Sequence, residues 1–148
     1  MSFVKIVLFA AAIQSGGELE RLELPGVQPP PARECGTATE YGYGTRWHGN
    51  ITASGEQLEP REEATCAHRT LPLGTVIYVE TDSEGGWCRV NDRGPYMALV
   101  GGDRVFRPPG ELREGERWDG IVDLSIRAAD RVGMDGKERG CLRYYRPE

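Results

Sequence analysis

Three carboxylates stand where a chain would hold a side chain still. Glu56 closes the turn "TASGE", Asp92 sits in "CRVNDRGPY" where a strand runs into a Gly-Pro corner, and Asp123 lies just before Ser125. Carboxyl groups move protons in catalysis when burial or a neighbouring charge lifts their pKa. Each also has a plain reading. Asn91 and Asp92 can bond their own backbone in a turn that Gly94 and Pro95 complete, Glu56 can be an exposed turn residue, and Asp123 can cap a helix. His68 in "TCAHRTLP" could orient a carboxylate, although a lone histidine is more often structural. Arg93, beside Asp92, could clamp that carboxylate or a substrate. The only other imidazole is His48 and no CxxC pair occurs, so no metal ligand set stands out, and no cofactor is expected.

The elements that must position these groups are bounded by composition. The 148 residues suit one domain with a short appendage, and 20 Gly with 10 Pro favour a turn-rich β protein. Acidic residues outnumber basic ones 23 to 18, a net charge of -5 that argues against nucleic acid as a partner. Cys35, Cys66, Cys88 and Cys141 form an even set suited to disulfides in an oxidising compartment, with buried free thiols as the other reading. Three pairings are open. Cys35 with Cys141, which would clasp the ends of the domain and leave Cys66 with Cys88, is the preferred one.

Residues 1–16 carry one lysine and the apolar run Ile6 to Ile13, the layout of a signal peptide and too short for a membrane span. A buried strand or helix is the alternative. Residues 17–34 read as a Pro-rich linker, so the folded domain is expected over 35–148. Strands are expected at "GTATEYGYG", "GTVIYVET", "GGWCRVND" and "GCLRYYRPE", and a helix capped by Ser125 with Ile126, Ala129 and Val132 inward and Gly133 as its stop. The stretch at about 97–122 has no firm period and reads as a long insertion, a loop with room for a hairpin.

Four blocks, "GTATEYGYGTRWHGNITASGEQLE", "TCAHRTLPLGTVIYVE", "CRVNDRGPY" and "VDLSIRAADRVGM", together resemble the rare lipoprotein A-like double-psi β-barrel domain, over roughly Cys35 to Tyr145. The resemblance implies a mainly β fold: a six-stranded double-psi β-barrel with one or two short helices. Its bacterial members are peptidoglycan lytic transglycosylases, and expansins and barwin-like proteins share the barrel. Two departures stand out: one extra residue between Glu56 and His68, and the long stretch after Tyr96.

The activity so implied is cleavage of glycan strands with formation of 1,6-anhydro-muramyl ends. In such a reaction the sugar's own C6 hydroxyl attacks the anomeric carbon, and one carboxyl group can serve as acid and then as base. By the resemblance, Glu56, Asp92, Asp123 and His68 are the candidate catalytic residues. Tyr41, Thr52, Ser54 and Arg93 are candidate substrate contacts, and Tyr43 and Trp47 lie in the same groove-lining block. The partner would be peptidoglycan and the location the periplasm, cell envelope or outside the cell. Two other readings use the same barrel: a glycan-binding module without catalysis, and a phage virion component with virion partner proteins.

Overall fold

The computed structural model describes residues 30–42, 49–107 and 111–145. The apolar N-terminal run, most of the linker, Tyr43, Trp47 and His48 lie outside the described residues. Nine strands and one helix are found there: β1 (Ala32–Tyr41), β2 (Thr65–Ala67), β3 (Val76–Thr81), β4 (Gly85–Asp92), β5 (Met97–Val100), β6 (Asp103–Phe106), β7 (Arg117–Trp118), β8 (Val122–Ser125), α1 (Ile126–Arg131) and β9 (Lys137–Arg143).

Six of the strands close into a barrel in the order β1-β8-β2-β4-β3-β9. The period-2 alternation of β3 and β4 decides which face turns inward. Ile77 and Val79 of β3 and Cys88 and Val90 of β4 enter the core, while Val76 and Trp87 stay exposed on the outer face. Ala38, Val122, Leu124 and Leu142 complete the barrel interior with no exposed surface. Two pairs are parallel, β1 with β8 and β2 with β4, and they join segments far apart in the chain. Full closure leaves the barrel itself without an open sheet edge.

The helix starts as its sequence dictates. The Ser125 hydroxyl accepts the Ala128 N–H and donates to the Glu63 carbonyl, and Ile126, Ala128 and Ala129 are buried. No described helix is long and apolar enough to cross a membrane. β1 begins at Ala32, three residues ahead of the expected start at Cys35. Asp123 lies within β8 and not at the helix cap, a role that belongs to Ser125.

The described residues between Met97 and Trp118 are not a structureless loop. β5, β6 and β7 make a separate antiparallel sheet in the order β6-β5-β7. Arg107 and Glu116 close it with a bidentate ion pair at 3.0 and 2.7 Å.

Both disulfides follow the preferred pairing, Cys35–Cys141 and Cys66–Cys88. The first joins directly opposed residues of β1 and β9 and closes a sequence separation of 106 residues. Replacing Cys35 and Cys141 together by Ser is expected to lower stability by about 2–5 kcal/mol, read from urea unfolding without reductant. Leu142→Ala, which empties a fully buried site, is expected to cost a similar ~2–5 kcal/mol.

Candidate active site

Where β1 and β8 run parallel, the side chains at their ends face an open groove of about 710 Å3. One wall is the barrel, with Thr39, Tyr41 and Asp123; the floor is Arg93 to Tyr96; the far wall comes from the inserted sheet, with Met97, Arg104 and Phe106. Gly94 is required at the floor. Its φ of +139° suits glycine, and a Cβ there would lie 3.5 Å from Asp123 Oδ2. The backbone conformation of this corner, and not crowding against Asp123, is what calls for glycine.

Asp123 is the carboxyl at the centre of this arrangement. Thr39 stands opposite it in the parallel register and donates its hydroxyl to Asp123 Oδ1. Burial pushes the Asp123 pKa above the usual aspartate range, against the pull of the Thr39 hydrogen bond and of Arg69 and Arg104, and the charge on Asp92 adds to the rise. Tyr41, on the same wall, is held in its neutral phenol form, first by burial and then by the charge on Asp92.

Asp92 is anchored as a carboxylate. Its Oδ1 accepts the backbone N–H groups of Ala53 and Arg93, both at 2.9 Å. It does not line the groove itself, but its field reaches Asp123 and Tyr41.

Glu56 lies elsewhere. Arg89 of β4 grips both of its oxygens at 2.6 and 2.8 Å, and the Ser54 hydroxyl donates to Oε1. The Arg89 hydrogen bonds hold its pKa below the usual glutamate range, the opposite of what a proton donor needs. Thr52 and Ser54 share a hydroxyl hydrogen bond of 2.9 Å inside the same loop, so their hydroxyls are engaged with each other and with Glu56. None of the three lines the groove.

His68 is buried and faces inward to the chain. Its Nδ1 accepts the N–H groups of Thr70 and Leu71, which leaves Nε2–H to donate to Glu34 at 3.0 Å. That fixes the tautomer and ties β1 to the loop after β2. Arg93 lines the groove through part of its side chain, yet its Nη1 donates to the carbonyls of His68 and Leu71 and not to Asp92. Of the sequence-derived candidates, the structure thus gathers Tyr41, Arg93 and Asp123 at the groove with Asp92 behind them, and sets Glu56, His68, Thr52 and Ser54 apart.

Several residues that sequence reading passes over shape the site. Thr39 matters through register alone, and nothing in "GTATEY" marks it. Arg69 donates to the carbonyls of Pro95 and Gly120 at 3.0 and 2.5 Å and lies 4.8 Å over the Trp118 ring. It therefore locks both ends of the insertion to the barrel. Among the described residues no three His, Cys, Asp or Glu side chains cluster as a metal site would require.

The groove is thus equipped for proton transfer by one carboxyl whose pKa its surroundings control. Thr39→Val removes a hydrogen bond that favours the charged form, so the Asp123 carboxyl is expected to titrate at higher pH, followed by its 13C resonance. Asp92→Asn is expected to move the same titration to lower pH.

The family model described as lytic transglycolase, a double-psi β-barrel, matches residues 33–144. Curated relatives include an endolytic peptidoglycan transglycosylase RlpA of Yersinia pestis, 34% identical over 75% of this chain and 25% of that protein. The probable endolytic peptidoglycan transglycosylase RlpA of Nostoc sp. is 44% identical over 68% of this chain and 22% of its own length. The Neisseria meningitidis serogroup A protein of the same kind is 34% identical, over 76% and 41%. The chain thus spans about a quarter of the first two relatives and less than half of the third. Six strands closed into one barrel, two parallel crossings and a match running from β1 to the end of β9 lead to one conclusion: the chain belongs to the lytic transglycolase family of double-psi β-barrels.

Proposed function

We propose that this chain is an exported or envelope enzyme that cleaves peptidoglycan glycan strands by lytic transglycosylation, with Asp123 as the acid and base. The observation that carries the reading is a part-buried carboxyl of raised pKa facing an open groove in a barrel whose relatives are named as peptidoglycan transglycosylases.

In this scheme protonated Asp123 donates to the glycosidic oxygen as the bond from the anomeric carbon breaks. The C6 hydroxyl of the same muramyl ring attacks that carbon, and the Asp123 carboxylate takes the hydroxyl proton, which returns the group to its starting state. The atoms balance without water, giving a 1,6-anhydro end and a free hydroxyl on the departing sugar. Burial keeps the Asp123 pKa high, the charge on Asp92 adds to the rise, and that charge also favours a developing oxocarbenium centre nearby. Tyr41 contributes to the groove wall while its neutral hydroxyl is buried behind it. Glu56, bound by Arg89, shapes the neighbouring loop.

Purified sacculi incubated with the protein should release anhydro-muramyl fragments, identified by mass spectrometry. Asp123→Asn is expected to reduce release by about 10²–10⁴-fold. Because burial raises this group, its ionisation costs folding free energy as pH rises from the ordinary aspartate value to the folded one, so the Asn variant should be at least as stable near neutral pH. Reducing ends without the anhydro form would point to a hydrolase, and binding without release to a glycan-holding barrel. In wild type, release should fall as pH rises through the Asp123 pKa, and Asp92→Asn should shift that fall to lower pH.

A further inference from the structure

The inserted sheet presents to the groove a set of side chains that the proton-transfer chemistry does not use. Phe106 of β6 is 64% exposed and lines the groove. Its ring is supported edge-on by Tyr96 at 6.5 Å with an interplanar angle of 89°, and Tyr96 in turn meets Trp118 at 6.1 Å. Arg69 over Trp118 anchors that aromatic series to the barrel. An aromatic ring propped from behind and open to a groove is suited to stack on the C–H face of a sugar.

A polar edge lies on the same groove. The Asp119 carboxylate, only 8% exposed, is met by Arg104 Nε at 2.6 Å and Lys137 Nζ at 3.4 Å, both on half-exposed side chains. Two cations share one buried anion, and a guanidinium with an ammonium carries more N–H donors than one carboxylate accepts. Two further acids line the groove, Asp123 and Glu40, the latter accepting the Gly136 N–H through Oε2. A ring-stacking face beside two half-exposed cations matches a pyranose that carries a carboxylate.

We propose that the inserted sheet forms a sugar subsite adjoining Asp123, in which Phe106 stacks on a pyranose ring while Arg104 and Lys137 bind a carboxylate on a muramyl unit. This rests on the glycan reading above and adds to it a recognition element supplied by the insertion. The carboxylate has two sources, the lactyl group of a stem-free strand and the acidic residues of a peptide stem.

Binding to three saccharides separates the parts: neutral chitin oligosaccharides, stem-free glycan strands and stem-bearing glycan strands. Phe106→Ala is expected to weaken all three by about tenfold, and Phe106→Tyr to restore them. Arg104→Gln and Lys137→Gln are expected to leave chitin oligosaccharides unchanged and weaken muramyl strands by about tenfold. A loss for both kinds of muramyl strand assigns the lactyl group, and a loss for stem-bearing strands alone assigns the peptide. On sacculi, Phe106→Ala should raise KM with kcat little changed. Unchanged affinities in the Phe106 and Arg104 variants, in a wild type that releases anhydro ends, overturn the subsite and leave the activity standing. A wild type that releases nothing, yet loses binding in these variants, overturns the activity and supports the subsite. All of these positions are exposed enough that thermal unfolding should match wild type.

Discussion

β1 and β8 lie parallel although their facing residues, Thr39 and Asp123, are 84 positions apart. Such a pairing has no local turn to enforce it, so it depends on the closed barrel around it and on the buried Ala38, Val122 and Leu124 that the two strands contribute. The groove follows from this pairing. It sets the hydroxyl of Thr39 against the carboxyl of Asp123, aligns Tyr41 with Ser125 at the strand ends, and leaves room for the Gly94 corner to pass beneath. The Cys35–Cys141 bridge holds the other neighbour of β1 in register, so a covalent bond and a hydrogen-bond ladder constrain the same strand from its two sides.

The three carboxylates show how environment divides one chemical group into different tasks. Glu56 meets a guanidinium fork that lowers its pKa below the usual glutamate range, and it shapes a loop. Asp92 is fixed by backbone N–H groups and acts through its field. Asp123 loses much of its contact with water, which raises its pKa above the usual aspartate range against the pull of the Thr39 hydroxyl. Their sequence contexts are alike: each is a polar residue next to a turn or an element end. Only the tertiary partners separate them.

That contrast explains how much the sequence shows. β3, β4 and the short helix carry alternation, helical spacing and a serine cap, and these local signals are visible in "GTVIYVET", "GGWCRVND" and "DLSIRAADRVG". β2 is three fully buried residues without alternation, and β8 runs directly into α1, so both escape a periodicity argument. Closure into a six-stranded barrel was legible through resemblance across four blocks, not through any one period. Asp123, Tyr41 and Arg93 line the groove, while Arg89's hold on Glu56 comes from a partner 33 positions away that no local pattern announces. Arg104, Phe106 and Asp119 lie in or beside the insertion, where the resemblance has no counterpart to offer.

The clasp formed by Arg69 gives the inserted sheet the character of a cassette. One guanidinium donates to the carbonyls of Pro95 and Gly120, the two points where the chain leaves and rejoins the barrel. The entry and exit are therefore spaced by the barrel and not by what lies between them. A segment mounted in this way can lengthen, shorten or change its surface while the strand that carries Asp123 keeps its place, so the far wall of the groove is free to vary without disturbing the barrel wall.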